Sequence, residues 1–395
     1  MLKGKTVVIG ITGSIAAYKI ANLCSMLKKL HATIHVIMTK NACNFINPIT
    51  FETLTGNKCL VDTFDRNFEF NVEHISLAKR ADIFMVAPAS ANIIGKIANG
   101  ICDDMLTTTL FAFNRGKKII APAMNTNMYD NPILQDNLEK LKKYGYEIIE
   151  PACGYLACGD TGRGKLVSEE ILLNRILYHI AYEKDLLNKN ILITAGPTQE
   201  AIDPVRYITN HSTGKMGYAI ANNAYLRGAN VTLVTGKSNE TPYDGINIIN
   251  IISALDMFNA VKENYINQDY IIMSAAVADY TVKDISLNKI KKSSDSISLE
   301  LSRTNDILKY VGENKTNQKL IGFSMETENL IDNSKVKLEK KNADMICANS
   351  ISDNKTGFGV DTNKITLIKK DEIKELPFGT KKELASLILD EIKKL

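Results

Sequence analysis

The chain has 395 residues, more than one ordinary globular domain holds, so two or three domains are expected. Hydrophobic residues make up 45% and charged residues 23%, the balance of a folded soluble protein, which excludes a disordered or collagenous chain. Forty-eight basic against 44 acidic side chains leave a net charge of +4. That is too even for a nucleic-acid binder or a polybasic membrane surface, so no nucleic acid and no membrane is expected as partner.

The first predicted strand covers residues 6–10. Lys3 and Lys5 precede it and Gly10 and Gly13 interrupt it, which suits neither a signal peptide nor a membrane span. Further short apolar runs at 33–38, 83–87 and 118–122 read as buried strands, and stretches such as 15–30 and 93–114 carry helical spacing between them. Such alternation with fully apolar strands predicts a parallel sheet covered on both faces. A closing helix is expected over 171–185, and the pattern then restarts with strands at 190–194, 230–235 and 269–275. The expected fold class is therefore α/β, with two Rossmann-like domains, 1–188 and 189–395, each a mainly parallel sheet with helices on both faces. The polar, lysine-rich stretch 284–302 reads as a loop or flap with a short hairpin. Seven cysteines, an odd number without a Cys-x-x-Cys pair, fit a reducing cytoplasm.

Gly10-Ile-Thr-Gly13-Ser14-Ile15 joins the first strand to the first helix. Its glycines let the backbone approach an anion, and Ser14 with the free N–H groups of the helix start can donate to it. Ala16-Ala17 replace the third glycine of a dinucleotide fingerprint, and a nicotinamide dehydrogenase would also need an acidic ribose-binding residue. Alone, this turn is equally a tight turn with a serine cap. Two small-residue turns, Ala87-Pro-Ala-Ser-Ala-Asn92 and Pro122-Ala-Met-Asn125, follow the third and fourth strands. Ligands of open parallel sheets lie beyond the carboxyl ends of strands, so these turns are expected to converge on the Gly13 loop. Ala157-Cys158-Gly159-Asp160-Thr-Gly162-Arg163-Gly164 is too polar and glycine-rich for core and reads as a loop over a ligand. In the second half Gly214-Lys215 is no Walker motif, because Thr209 stands where the first glycine belongs and Met216 replaces Ser/Thr.

Gly13-Ser-Ile-Ala-Ala-Tyr-Lys19, Pro88-Ala-Ser-Ala-Asn92, Pro122-Ala-Met-Asn125 and Ala157-Cys-Gly-Asp160 together resemble the flavin-dependent cysteine decarboxylases. Gly196-Pro-Thr198, Arg206-Tyr-Ile-Thr-Asn210, Ala275-Ala-Val-Ala-Asp279 and Lys289-Ile-Lys-Lys292 are similar to the ligase domain fused to them in bifunctional phosphopantothenoylcysteine decarboxylase/phosphopantothenate–cysteine ligases of coenzyme A biosynthesis. The resemblance implies FMN on Gly13, Ser14 and Ile15 with contacts from Thr39, Ser90 and Asn92. It implies His74 as a base, Asn125 as the grip on the departing carboxylate, and Cys158 as proton donor. Ala157, Asp160 and Arg163 would belong to a substrate clamp. In the ligase half it implies Lys289 in acyl-cytidylate formation from CTP and Asn210 in converting that intermediate to product. Nucleotide contacts would come from Asp279, with Mg²⁺ possible beside it, and from Asn305, Asp306, Ile307, Phe323, Lys337 and Lys341. The family commonly has proline before Asp306, where this chain has Asn305. Implied partners are 4′-phosphopantothenate, cysteine, CTP and phosphopantothenoylcysteine. The implied assembly is decarboxylase trimers and ligase dimers giving a dodecamer. A non-catalytic flavin-binding regulatory protein of the same fold is the alternative.

Overall fold

The computed structural model describes residues 1–63, 73–155, 159, 161–291, 298–326, 328–350, 357 and 359–395. Ala157, Cys158 and Asp160 lie outside them. The chain divides into two compact units, Met1–Glu183 and Lys184–Leu395. Among the described residues no helix is long and apolar enough to cross a membrane.

The first unit is built on five parallel strands in the order Thr33–Met38, Thr6–Ile11, Ile83–Ala89, Lys117–Pro122, Glu147–Ile148. Every residue of Ile83–Ala89 is buried, so both faces of the sheet are covered, as a parallel sheet requires. One face packs Val8, Phe84, Val86 and Ile120 against Leu106, Leu110 and Phe113. The chain leaves Thr6–Ile11 toward one neighbour and later returns to its other side. The sheet therefore has a switch point between Thr6–Ile11 and Ile83–Ala89, where a crevice opens beyond the strand ends.

The stretch expected as one helix over 93–114 is two, Ala91–Ala98 and Met105–Ala112. Gly100 takes a left-handed φ of 74°, a conformation that favours glycine, and ends the first. Asp104 starts the second with a capping box to Thr107. The expected first helix begins as a 3₁₀ turn, Ile15–Ala17, before the α-helix Tyr18–Lys29. The closing helix is Glu169–Ile180, capped by Ser168.

The second unit holds an eight-stranded sheet. Six strands run parallel in the order Asn247–Asn250, Asn230–Thr235, Asn190–Ala195, Tyr270–Met273, Lys319–Glu326, Met345–Ser350, and Ile365–Ile368 and Ile373–Glu375 add antiparallel to the last edge. The switch point lies between Asn190–Ala195 and Tyr270–Met273. Within 284–302 the described residues place Leu301–Arg303 antiparallel to Tyr280–Val282, which draws the two ends of the stretch together.

Candidate active sites

Beyond the switch point of the first unit lies a cavity of about 850 Å³ lined by Gly13, Thr39, Asn41, Ser90 and Asn92 among others. Its two walls are tied by one buried hydroxyl. Thr12 Oγ1 donates to Pro88 O at 2.7 Å and accepts from Ser90 N at 2.9 Å. Ser90 also caps Ala91–Ala98, so this helix turns its N-terminal N–H groups to the cavity wall. The Gly13 backbone lies close to Asn41, and a Cβ there would stand 2.9 Å from Asn41 Cβ. Small residues, free backbone donors and a bare glycine fit a phosphorylated flavin.

A second recess of about 390 Å³ is lined by Ser14, Ile15, Lys19, Asn125, Tyr155 and Lys165. Ser14 Oγ accepts from Ala16 N at 3.3 Å, and Asn125 Oδ1 from Asn127 N at 2.8 Å, so each caps a short helical turn while bordering the recess. Arg163, expected in a clamp, donates from Nη2 to Asp130 Oδ1 at 2.8 Å and lies over the Tyr129 ring. His74 sits half-buried in the first turn of Glu73–Arg80 and lines neither recess.

Sequence reasoning missed Lys96, whose Nζ bonds Asp103 Oδ1 at 2.7 Å at the cavity rim and lies 3.5 Å from Asp104 Oδ2. Reading 93–114 as one helix hid the Gly100 break that brings these acids back to Lys96.

In the second unit, Asp279, Asn305, Asp306, Ile307, Phe323, Lys337 and Lys341 all line one cavity of about 710 Å³. Asn305 does not disturb the turn. Asp306 still caps Ile307–Asn314 by accepting from Lys309 N at 2.9 Å. Burial alone would raise the Asp306 carboxyl, but the Lys341 ammonium and the Lys309 N–H outweigh it and hold the group below its ordinary value. Lys337 donates to Phe323 O at 2.8 Å, and burial pulls its pKa down.

A smaller recess of about 130 Å³ shares Ala275 and Phe323 with the first and is lined by residues 212–217 at the start of Lys215–Leu226. Lys215 itself is paired with Asp361 at 2.6 Å. Asn210 borders neither recess but donates from Nδ2 to Ala276 O at 3.1 Å. Lys289 is exposed and lines neither, while its neighbour Ile290 is bound to Asp203 and Arg206. Among the described residues no group of three or more His, Cys, Asp or Glu could hold a metal ion.

Two α/β units, the first with a polar cavity at its switch point and the second with one beyond the ends of Tyr270–Met273 and Lys319–Glu326, define an α/β protein with two candidate ligand sites. Residues 1–181 match the family model described as Flavoprotein, and 186–395 the one described as DNA/pantothenate metabolism flavoprotein C-terminal domain. The coenzyme A biosynthesis bifunctional protein CoaBC of Bacillus subtilis (strain 168) is 46% identical over 396 residues, covering 99% of this chain and 97% of that protein. The CoaBC protein of Haemophilus influenzae (strain ATCC 51907 / DSM 11121 / KW20 / Rd) is 44% identical over 392 residues, covering 99% and 98%. A solved C-terminal domain of a CoaBC protein, 47% identical, covers 53% of this chain and 96% of its own at a TM-score of 0.46. The chain belongs to the CoaBC family of bifunctional coenzyme A biosynthesis proteins.

Proposed function

We propose that the second unit joins cysteine to 4′-phosphopantothenate with CTP and that the first decarboxylates the resulting phosphopantothenoylcysteine to 4′-phosphopantetheine. The observation that carries this reading is the convergence of the ligase-type residues Asp279, Asn305, Asp306, Ile307, Phe323, Lys337 and Lys341 on one cavity of a chain whose other unit has its own. Full-length similarity to bifunctional proteins disfavours a purely flavin-carrying regulator.

In the ligase unit, Lys337 and Lys341 are four residues apart on the helix Leu330–Lys340 and its C-cap, so they can face one anionic ligand together. Asp279 would contact the nucleotide sugar. Lys289 would balance charge on the phosphates as the acyl-cytidylate forms and pyrophosphate leaves, and Asn210 would serve the attack of the cysteine amine. With no group of three or more His, Cys, Asp or Glu placed to hold a metal among the described residues, Mg²⁺ would be held mainly by the nucleotide phosphates and water.

In the first unit, Gly13, Ser14 and Ile15 would hold the FMN phosphate, with Thr39, Ser90 and Asn92 around the rest. Bound there, a flavin would supply reversible two-electron oxidation of the thiol-bearing carbon, which places an electron sink beside the carboxylate. Asn125 would grip that carboxylate without a fixed charge, so CO₂ departure breaks no ion pair. His74 would accept a proton during oxidation and Cys158 would donate one to the decarboxylated product. Ala157, Asp160 and Arg163 would close over the substrate. We assign the assembly of decarboxylase trimers and ligase dimers, up to a dodecamer, to the same reading.

Incubation with 4′-phosphopantothenate, cysteine, Mg²⁺ and either CTP or ATP, followed by mass spectrometry, tests it. The amide product is expected with CTP, followed by loss of CO₂; absence of the amide with either nucleotide would refute the ligase assignment. Cys158→Ser should release CO₂ yet stall before 4′-phosphopantetheine while ligating normally. Equal loss of ligation would contradict the two-site partition.

A further inference from the structure

We infer that Asp203 is the positioning residue of the ligation site, holding the backbone beside Lys289 so that its ammonium is presented to the nucleotide. This rests on the role assigned to Lys289 above. Asp203 follows the hairpin strand Gln199–Ala201, and its side chain is wholly enclosed. Its two oxygens do different things. Oδ1 accepts from Val205 N and Arg206 N, both at 2.9 Å, and closes the turn. Oδ2 accepts from Arg206 Nε at 3.0 Å, from Arg206 Nη2, and from Ile290 N at 3.1 Å. Arg206 Nη2 also donates to Ile290 O at 2.9 Å.

Carboxylate and guanidinium together thus grip both the N–H and the C=O of the residue next to Lys289. A second fastening lies just upstream, where Ser286 N donates to Ile202 O at 3.1 Å. Lys289 sits between these two points. The turn needs only Oδ1. Beyond its pair with Arg206, the second oxygen reaches a residue 87 positions away, which is more than turn formation requires.

The same hairpin carries Asn210 just beyond its other strand, Tyr207–Thr209. There Thr209 Oγ1 donates to Thr198 O at 2.7 Å and Asn210 reaches Ala276 O. One rigid arm therefore sets the position of both groups assigned to ligation. A lysine ammonium on a flexible four-carbon stem is only as well placed as its Cα, and that Cα is held through Ile290.

Asp203→Asn separates the two functions of the side chain. Its amide oxygen can still close the turn, while its NH₂ meets Arg206 and the Ile290 N–H, donors against donors. In the full-length protein, CTP-dependent pyrophosphate release is expected to fall about 100-fold in kcat, the scale of a misplaced catalytic group, with a smaller change in KM for CTP. Decarboxylation of supplied phosphopantothenoylcysteine should be unchanged. The double variant Asp203→Asn/Lys289→Gln should be no slower than Lys289→Gln alone, because both remove one contribution.

Should Asp203→Asn fold poorly, Arg206→Lys keeps the ion pair but cannot span Asp203 and Ile290 O, and the same non-additivity with Lys289→Gln is expected. A wild-type rate in these variants beside an impaired Lys289→Gln overturns the inference alone. So do losses that multiply in the double variant. Full activity of Lys289→Gln overturns the role of Lys289 and this inference with it.

Discussion

Gly13→Val is expected to give a colourless protein that still ligates cysteine to 4′-phosphopantothenate. A Cβ at residue 13 would meet Asn41 Cβ at 2.9 Å and Asn41 C at 3.4 Å whatever the rotamer, and valine adds two methyl groups to that contact. Asn41 lines the same cavity as Gly13 and Thr39, so the strain falls on the wall of the proposed flavin site. Overpacking of this kind costs about 2 kcal/mol. Set against flavin binding, that is about a 30-fold loss of affinity. The ratio of flavin to protein absorbance in the purified variant measures it. Normal flavin content would exclude the Gly13 turn from the cofactor site. Ligation is expected to persist because the nucleotide-type cavity belongs to the other unit.

Arg227→Leu is expected to destabilise the second unit strongly. The Arg227 side chain is only 4% exposed, and it donates to both oxygens of Asp185, at 2.8 and 2.5 Å. It also pairs with Asp390 at 2.8 Å and donates to Ser386 O at 3.3 Å. Leucine would take the guanidinium from two partly exposed carboxylates, of which Asp185 keeps Lys393, at a cost of about 2 kcal/mol, below that of breaking a fully buried pair. For a unit of this size the unfolding midpoint should drop by about 6 °C. The pH dependence follows in sign. Chiefly because Arg227 donates to it, the Asp185 carboxyl is lowered from 3.8 to about 2. Its contribution is complete above the unfolded value near 4 and is lost as pH falls toward about 2. Calorimetry across that window should show a steeper loss of stability in the native protein than in Arg227→Leu. Parallel curves would remove Asp185 from the acid response.

The strands were readable because a sheet buried on both faces leaves uninterrupted apolar runs, as in Ile83–Ala89. The helix boundary at Gly100 was less readable, since apolar spacing continues across it and only the αL glycine and the Asp104 cap reveal the break. Of the sites, Gly13, Ser90 and Asn92 were legible as small polar turns after strands, which is where parallel sheets bind ligands. The cavity shared by Asp279, Phe323 and Lys341 was not readable from spacing. These residues come together only through the pairing of Tyr270–Met273 with Lys319–Glu326, and the resemblance supplied them instead. The grip of Asp203 on Ile290 lay further out of reach, because hydrogen bonds between a side chain and a distant backbone leave no periodic trace.

The two recesses of the second unit share Ala275 and Phe323, so these two side chains border both chambers. If a nucleoside and its first phosphate occupy the roomier chamber and the outer phosphates the narrower one, the bond to be broken lies beside Ala275 and Phe323. Any group added at that border, for example a leucine in place of Ala275, would part the leaving pyrophosphate from the nucleoside that anchors it, while leaving each chamber able to bind its own fragment.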